Sequence, residues 1–301
     1  MCLANLVLNI EPERPDLPWS WIVIANRDEL HARPSRDMQP WPDQPDILGG
    51  QDLEAGGTWL AVHRDGRLGL LTNYREPGKK MADAPSRGHL VEGYLTQKGS
   101  AGQYLQGIEK NAYLYNGFNL LLGDPATGWW HASNRTTPFA REIRHNDQAS
   151  SVARNGIEII GLSNAVLGTP WPKLLRTTAG VFAALQSGSG QDLTALMHSL
   201  VRVFQDKTPA DDSELPQTGL SLERERLVSA PFILDGSYGT RCTTVAMQLK
   251  SGTMFVMEIT YRPDGSARSQ SLWECKDHGP WQPIQNQGST RSGRELGFHQ
   301  L

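Results

Sequence analysis

Strand-type and helix-type segments come in blocks along this chain of 301 residues, and that ordering restricts its fold more than any other feature. Apolar runs at residues 3–10 and 20–26 flank the Pro-rich turn 11–18 and predict an antiparallel hairpin. Residues 57–63 and 67–73 flank Arg64-Asp65-Gly66, and Asp-Gly between apolar runs predicts a second hairpin. Between them, the Pro- and Asp-rich stretch 33–51 reads as a loop. Helices are expected at 87–95 and 102–110, and strands at 118–123 and 129–133. The pattern repeats with a strand at 157–164, helices at 172–185 and 192–204, and strands at 240–249 and 253–262. Such blocks predict an α+β fold with helices packed on antiparallel sheets, not a βαβ array.

Residues 1–275 are read as one domain, without internal repeats, and the polar, Gly- and Gln-rich segment 276–301 as a loosely ordered tail. The acidic, Pro-containing segment 206–219 reads as the longest flexible loop, either a lid or a solvated excursion. A net charge of −3 supplies no electrostatic footprint for nucleic acid or an anionic membrane, where binding rests on Lys and Arg. No apolar stretch reaches the roughly 18 residues of a membrane-crossing helix, so no integral membrane association is expected. The three cysteines, Cys2, Cys242 and Cys275, are odd in number and lack metal-ligand spacing. They suggest neither a disulfide framework nor a metal site, and a cytoplasmic, reducing setting is expected.

Cys2 is the leading chemical candidate. Its small side chain favours removal of Met1, and removal leaves a thiol and a free α-amine on one residue, with reference pKa values of about 8.5 and about 7.7–8.0. The amine can then take the thiol's proton, which gives a nucleophile with its base attached. Where the second strand ends, Asn26-Arg27-Asp28-Glu29 offers four polar side chains. Arg27 would favour the thiolate and hold an anionic or acylated substrate; a salt-bridged strand end is the structural alternative. Asn73 and Asn164 end two further strands and are candidate oxyanion donors, although Asn is also favoured at turns for its own backbone bonds. Arg241, opening another strand, is a weaker anion-binding candidate. The eight histidines form no metal-type pair, and Gly49-Gly50 and Gly56-Gly57 lack nucleotide-fingerprint spacing and read as turns.

Taken in order, Met1-Cys2-Leu3, Asn26-Arg27-Asp28-Glu29-Leu30, Gly56-Gly57-Thr58-Trp59, Leu71-Thr72-Asn73-Tyr74-Arg75, Tyr115-Asn116-Gly117-Phe118-Asn119-Leu120, Gly161-Leu162-Ser163-Asn164-Ala165, Pro170-Trp171-Pro172-Lys173 and Tyr238-Gly239-Thr240-Arg241 resemble the NRDE family, the transport and Golgi organisation protein 2 family. The resemblance spans roughly residues 1–260. It implies a four-layer αββα fold of the N-terminal nucleophile hydrolase type, with two stacked antiparallel sheets. More distantly, the family is similar to the cysteine-dependent penicillin V acylases and bile salt hydrolases. By that likeness Cys2 matches the nucleophile, Ser163-Asn164 resembles the Thr-Asn that supplies an oxyanion donor, and Asn73 is a second donor. The acylases space their Arg and acid three apart, whereas here Asp28 and Glu29 directly follow Arg27.

Two functions follow from these readings. The first is an N-terminal-cysteine hydrolase or acyltransferase acting on a small amide or thioester, with Cys2, Arg27, Asn73 and Asn164 as catalytic residues. Asn26, Asp28, Glu29 and Arg241 are then expected to bind substrate, and no cofactor or metal is required. The second, implied by the family's association with haem trafficking and acyl-lipid metabolism, is a non-enzymatic carrier that binds haem, an acyl lipid or acyl-coenzyme A in the same cleft.

Overall fold

The N-terminal hairpin sets the architecture. β1 (Cys2–Asn9) and β2 (Trp19–Leu30) pair antiparallel, with Cys2 opposite Arg27 and Ala4 opposite Ala25. Both strands are buried on both faces, and their side chains alternate with period two. Leu3, Val7, Ile22 and Ile24 point into one core, while Ala4, Leu6, Val23 and Ala25 point into another. The structure, a computed structural model, describes residues 2–145, 151–187 and 192–285.

Next come β3 (Ser35–Trp41), β4 (Gln44–Asp52), β5 (Leu60–His63) and β6 (Leu68–Asn73), followed by helices α1 (Gly88–Thr96) and α2 (Ala101–Glu109). β7 (Phe118–Asp124), β8 (Gly128–Ser133) and β9 (Ala140–Ile143) complete a seven-stranded sheet in the order β3-β4-β5-β6-β7-β8-β9. After β10 (Ser151–Arg154) and β11 (Ile157–Leu162) lie α3 (Pro172–Ser187), α4 (Leu193–Phe204) and α5 (Leu222–Leu227). The chain then returns through β12 (Tyr238–Leu249), β13 (Met254–Tyr261), β14 (Ala267–Cys275) and β15 (Gln282–Pro283). These strands join the N-terminal hairpin in an eight-stranded sheet, β10-β11-β1-β2-β12-β13-β14-β15. Every pairing within both sheets is antiparallel.

Three apolar cores separate four layers. α3 and α4 pack on the outer face of the eight-stranded sheet through Leu174, Val181, Leu200 and Phe204. The two sheets meet face to face over Leu6, Val23, Leu48, Leu70, Leu121 and Val256. α1 and α2 cover the far face of the other sheet through Leu90, Tyr94 and Leu105. The fold is therefore α+β with two stacked antiparallel sheets between helical layers, as expected. Local chemistry agrees: Ser100 and Gln103 form a capping box at the start of α2, and Asp192 caps α4.

The stretch 33–51 is not a loop but the hairpin β3–β4, closed by Pro42-Asp43 with Trp41 opposite Gln44. β3 is an edge strand, where Pro40 removes no inner-ladder bond. Gly49-Gly50 is likewise not a turn: both lie within β4, where a Cβ would press on Ala61 and on the Trp59 ring. Gly56-Gly57 is a turn, with φ of +73° at each residue. None of residues 206–219 lines the cleft described below; Phe232 N–H donates to the Asp206 carbonyl and Ala210 N–H to Ser229 Oγ, which binds the segment to the chain before β12. Packing continues beyond residue 275, since Trp281 is buried between the sheets. Residues 286–301, most of the expected tail, lie outside the described residues. Among the described residues, no helix is long and apolar enough to cross a membrane.

Candidate active site

Period two decides which residues of Asn26-Arg27-Asp28-Glu29 reach the first residue of β1. Cys2 shares its face with Ala4 and Leu6, and Arg27 shares the same inter-sheet face with Val23 and Ala25. Both open into a cavity of about 320 Å³, whose wall also includes Asp28, Glu29, Arg33, Asp52, Trp59, Asn73 and Arg87. Asn26 falls on the opposite face. Its amide donates to the carbonyls of Phe204 (2.9 Å) and Pro231 (3.0 Å), and its oxygen accepts from Thr243 Oγ1 at 2.6 Å. The expectation that Asn26 binds substrate is corrected accordingly: it is a fully bonded strut between the sheet and the helical layer.

Cys2 is half-buried, and Ser163 Oγ donates to its carbonyl at 3.0 Å. Burial raises its thiol above the ordinary value, and the Asp28 carboxylate adds to this; the Asp28 backbone N–H and the Arg27 guanidinium act in the opposite sense. Arg27 is 5% exposed; it lies 4.3 Å from the Trp59 ring centre and 3.7 Å from Asp52 Oδ2. Asp52 in turn accepts from Arg33 Nε at 2.7 Å. Asp28 is buried, and burial raises its carboxyl pKa. It accepts from Thr240 Oγ1 at 2.7 Å through its side chain and from Tyr238 OH at 2.9 Å through its carbonyl.

Asn73, the last residue of β6, lines the cleft. Asn164 is fully buried just beyond β11, and its amide donates to the Asn73 carbonyl at 2.9 Å. Glu29 stands at the rim, where its carboxylate accepts from the Leu30 N–H at 2.8 Å. Arg241 does not reach the cleft. It sits where the β12–β2 register shifts, and its Nη1 donates to the carbonyls of Leu30 (2.7 Å), His31 (3.2 Å) and Arg33 (3.2 Å). Its expected anion-binding role is thus corrected to clamping the turn after β2.

The structure adds residues that the sequence did not single out. Arg87, just before α1, lines the cleft and donates to the Gly117 carbonyl at 2.9 Å. Lys173, in the first turn of α3, is 2% exposed, and burial lowers its pKa to about 8, with repulsion from Arg75 the next cause. One signal was present: Lys173 lies on the apolar face of α3, in line with Leu174, Thr177, Val181 and Leu185. Arg75 and Glu225 form a buried ion pair at 2.9 Å beside it. No comparable pattern marked Arg87, whose helix-leading position is ordinary.

A second cavity of about 350 Å³ adjoins the Cys2 cleft and shares Glu29, Asn73, Lys80, Arg87 and Asn116 with it. Its own wall includes Tyr74, Pro77, Leu220 and Tyr238. Beside the cleft, Gly57 packs so closely on the start of α1 that a Cβ would fall 2.3 Å from the Gly88 carbonyl carbon. A larger cavity of about 470 Å³ beside His131 holds none of the candidate residues, so the chemistry is assigned to the cleft with the thiol. Among the described residues, no group of three or more His, Cys, Asp or Glu is placed to hold a metal ion.

Residues 1–263 match the family model described as Transport and Golgi organisation 2. The chain is 32% identical over 271 residues to the mouse Transport and Golgi organization 2 homolog, covering 85% of this chain and 91% of that one. It is 30% identical over 271 residues to the human homolog, with the same coverage of each chain. Among solved structures, a mutant conjugated bile acid hydrolase from Clostridium perfringens aligns over 98% of this chain and 100% of its own, at 9% identity and a TM-score of 0.43. The match to the family model and the two homologs together show that the chain belongs to the Transport and Golgi organisation 2 family.

Proposed function

We propose that the protein is a cysteine hydrolase or acyltransferase that acts on a small amide or thioester, with Cys2 as nucleophile. The observation that carries this reading is the shared register of Cys2 and Arg27, which turns a thiol and a guanidinium into one polar cleft between the sheets. Removal of Met1 would leave the α-amine on Cys2 to accept the thiol's proton. Sγ then attacks the carbonyl carbon, and the amine returns the proton to the leaving nitrogen or sulfur. The nearby Asp28 carboxylate favours the protonated amine, Arg27 favours the thiolate, and Asn73 stands at the wall where an oxyanion would form. No cofactor enters this scheme, and a reducing, cytoplasmic setting suits a free thiol.

The test is turnover of a panel of amides and thioesters, including acyl-coenzyme A, by native-start protein whose terminal mass has been determined. Cys2→Ala is expected to abolish each activity found, and unchanged turnover would remove Cys2 from the mechanism.

A second reading rests on a different observation. The thiol is raised by burial, and the Asn164 amide is engaged with the Asn73 carbonyl, so the cleft is equipped to hold a ligand without reacting. In this version it carries haem or an acyl lipid. A saturable Soret shift on haem titration, or saturable acyl-coenzyme A binding that survives in Cys2→Ala, would favour it over turnover.

A further inference from the structure

The cavity of about 470 Å³ beside His131 is larger than the thiol cleft and shares no wall residue with it. It lies at the edge of the seven-stranded sheet, between β8–β9 and the loop that follows β11 in the other sheet. His131 on β8 stands directly opposite Arg141 on β9, and the next pair on the same face, Trp129 and Ile143, packs between the sheets.

Asn119 settles which ring nitrogen of His131 carries the proton. Its Nδ2 donates to the Ala165 carbonyl at 3.0 Å and to Thr72 Oγ1 at 3.2 Å. A carbonyl can only accept, so the amide oxygen is the atom that faces His131 Nε2 at 3.2 Å, and Nε2 must donate. Nδ1 is then a lone-pair acceptor. His131 makes no other hydrogen bond among the described residues, and Nδ1 is not closed off from solvent, so it opens on the cavity that His131 lines. The residue is 2% exposed, and burial, followed by repulsion from Arg141, lowers its pKa to about 3. The ring therefore stays a neutral acceptor at physiological pH. Two threonines add acceptors to the same wall: Thr136 Oγ1 donates its proton to the Pro138 carbonyl at 3.1 Å and Thr169 Oγ1 to the Val166 carbonyl at 2.6 Å, which leaves only lone pairs. Val166, Leu167 and Pro170 make an aliphatic side, and Arg141 is the one ionised side chain among the described residues that line the cavity.

We propose that this cavity is a second ligand site, which takes a small phenol whose O–H donates to His131 Nδ1 and whose ring packs on the aliphatic side. A buried acceptor gains most from a ligand that brings the missing donor. The positive charge of Arg141 favours an electron-rich phenol oxygen and repels an ammonium donor. The site needs nothing from Cys2 and stands whatever that thiol does.

The experiment titrates histidine-15N-labelled protein with 4-ethylphenol and 2-naphthol, and separately with their methyl ethers, which keep the ring and lack the O–H. The nitrogen resonances of His131 are followed, because a pyridine-type nitrogen moves upfield when it accepts a hydrogen bond. Both phenols are expected to move Nδ1 saturably while Nε2 stays protonated, and the ethers to bind at least about tenfold more weakly without that movement. Val166→Trp, a substitution at a residue 40% exposed on the cavity wall, is expected to abolish the response by filling the space. No saturable movement of Nδ1 with either phenol would overturn the proposal. Equal movement with the ethers would do the same, since apolar filling alone would then be responsible. The comparison of phenols with ethers on wild type is decisive without any variant.

Discussion

The side-chain amide of Asn164 donates to the backbone carbonyl of Asn73 at 2.9 Å, joining the loop after β11 in one sheet to the end of β6 in the other. The Arg75 N–H donates back to the Asn164 carbonyl at 2.7 Å. The two asparagines expected to act in parallel are thus bonded to each other at the seam where the sheets meet the cleft.

Asn164→Ala should therefore affect stability and chemistry together. Losing this buried donor is expected to cost about 1–3 kcal/mol in urea unfolding. Where a substrate is turned over, kcat should fall about 100-fold if the amide also faces the oxyanion. A variant that loses stability but keeps kcat would assign Asn164 to the seam alone.

Asn26→Ala should behave differently. Its side chain is bonded to Phe204, Pro231 and Thr243 and faces away from the cleft. Loss of about 1–3 kcal/mol in unfolding free energy is expected, with ligand affinity or KM unchanged when measured well below the melting temperature.

Arg75 and Glu225 are each 5% exposed at the side chain. Removing either partner breaks this buried ion pair, so Arg75→Met or Glu225→Gln should each destabilise by about 3–5 kcal/mol. The double variant should lose less than the sum of the two, which a double-mutant cycle by urea denaturation would show.

Glu258 gives a pH-dependent prediction. It is buried beside β3, accepting from the Met38 N–H at 2.8 Å and from Thr244 Oγ1 at 3.1 Å, and burial raises its pKa. The folded state then binds the proton more tightly than the unfolded chain. That contribution is full below the unfolded value of about 4.3 and is lost as pH rises through the raised folded value. Glu258→Gln lacks the loss, so its stability relative to wild type should improve as pH rises from about 4.3 through the raised folded value and then level off. Urea melts at several pH values check this, and a constant difference would contradict it.

The block order of segments was enough to read the layered α+β arrangement, because long strands such as β1 and β12 are apolar on both faces. The β3–β4 hairpin was hidden by Pro40, Pro42 and Asp43, residues that an edge strand and its turn tolerate but that resemble a loop in isolation. β9 and β10, four residues each, lie at sheet edges and carry too little apolar pattern to stand out. At the site, the hairpin predicted from the first two strands brings Cys2 toward Arg27, the register that pairs them appears only in the fold, and strand alternation would have set Asn26 apart. Arg241 escaped because the register shift beside it turns its side chain toward carbonyls of the turn after β2, and bulges leave little trace in a single sequence. Lys173 is buried beside the Trp171 ring, a proximity that exists only after α3 has packed.

Glu29, Asn73, Lys80, Arg87 and Asn116 form a partition common to two chambers. A substitution on that partition alters both rooms at once, so the preferences for the two ends of an elongated ligand are not independently adjustable. Retuning one end by mutation would have to begin at private positions, Trp59 on the thiol side or Leu220 on the other, whereas changes at Lys80 or Arg87 would be pleiotropic.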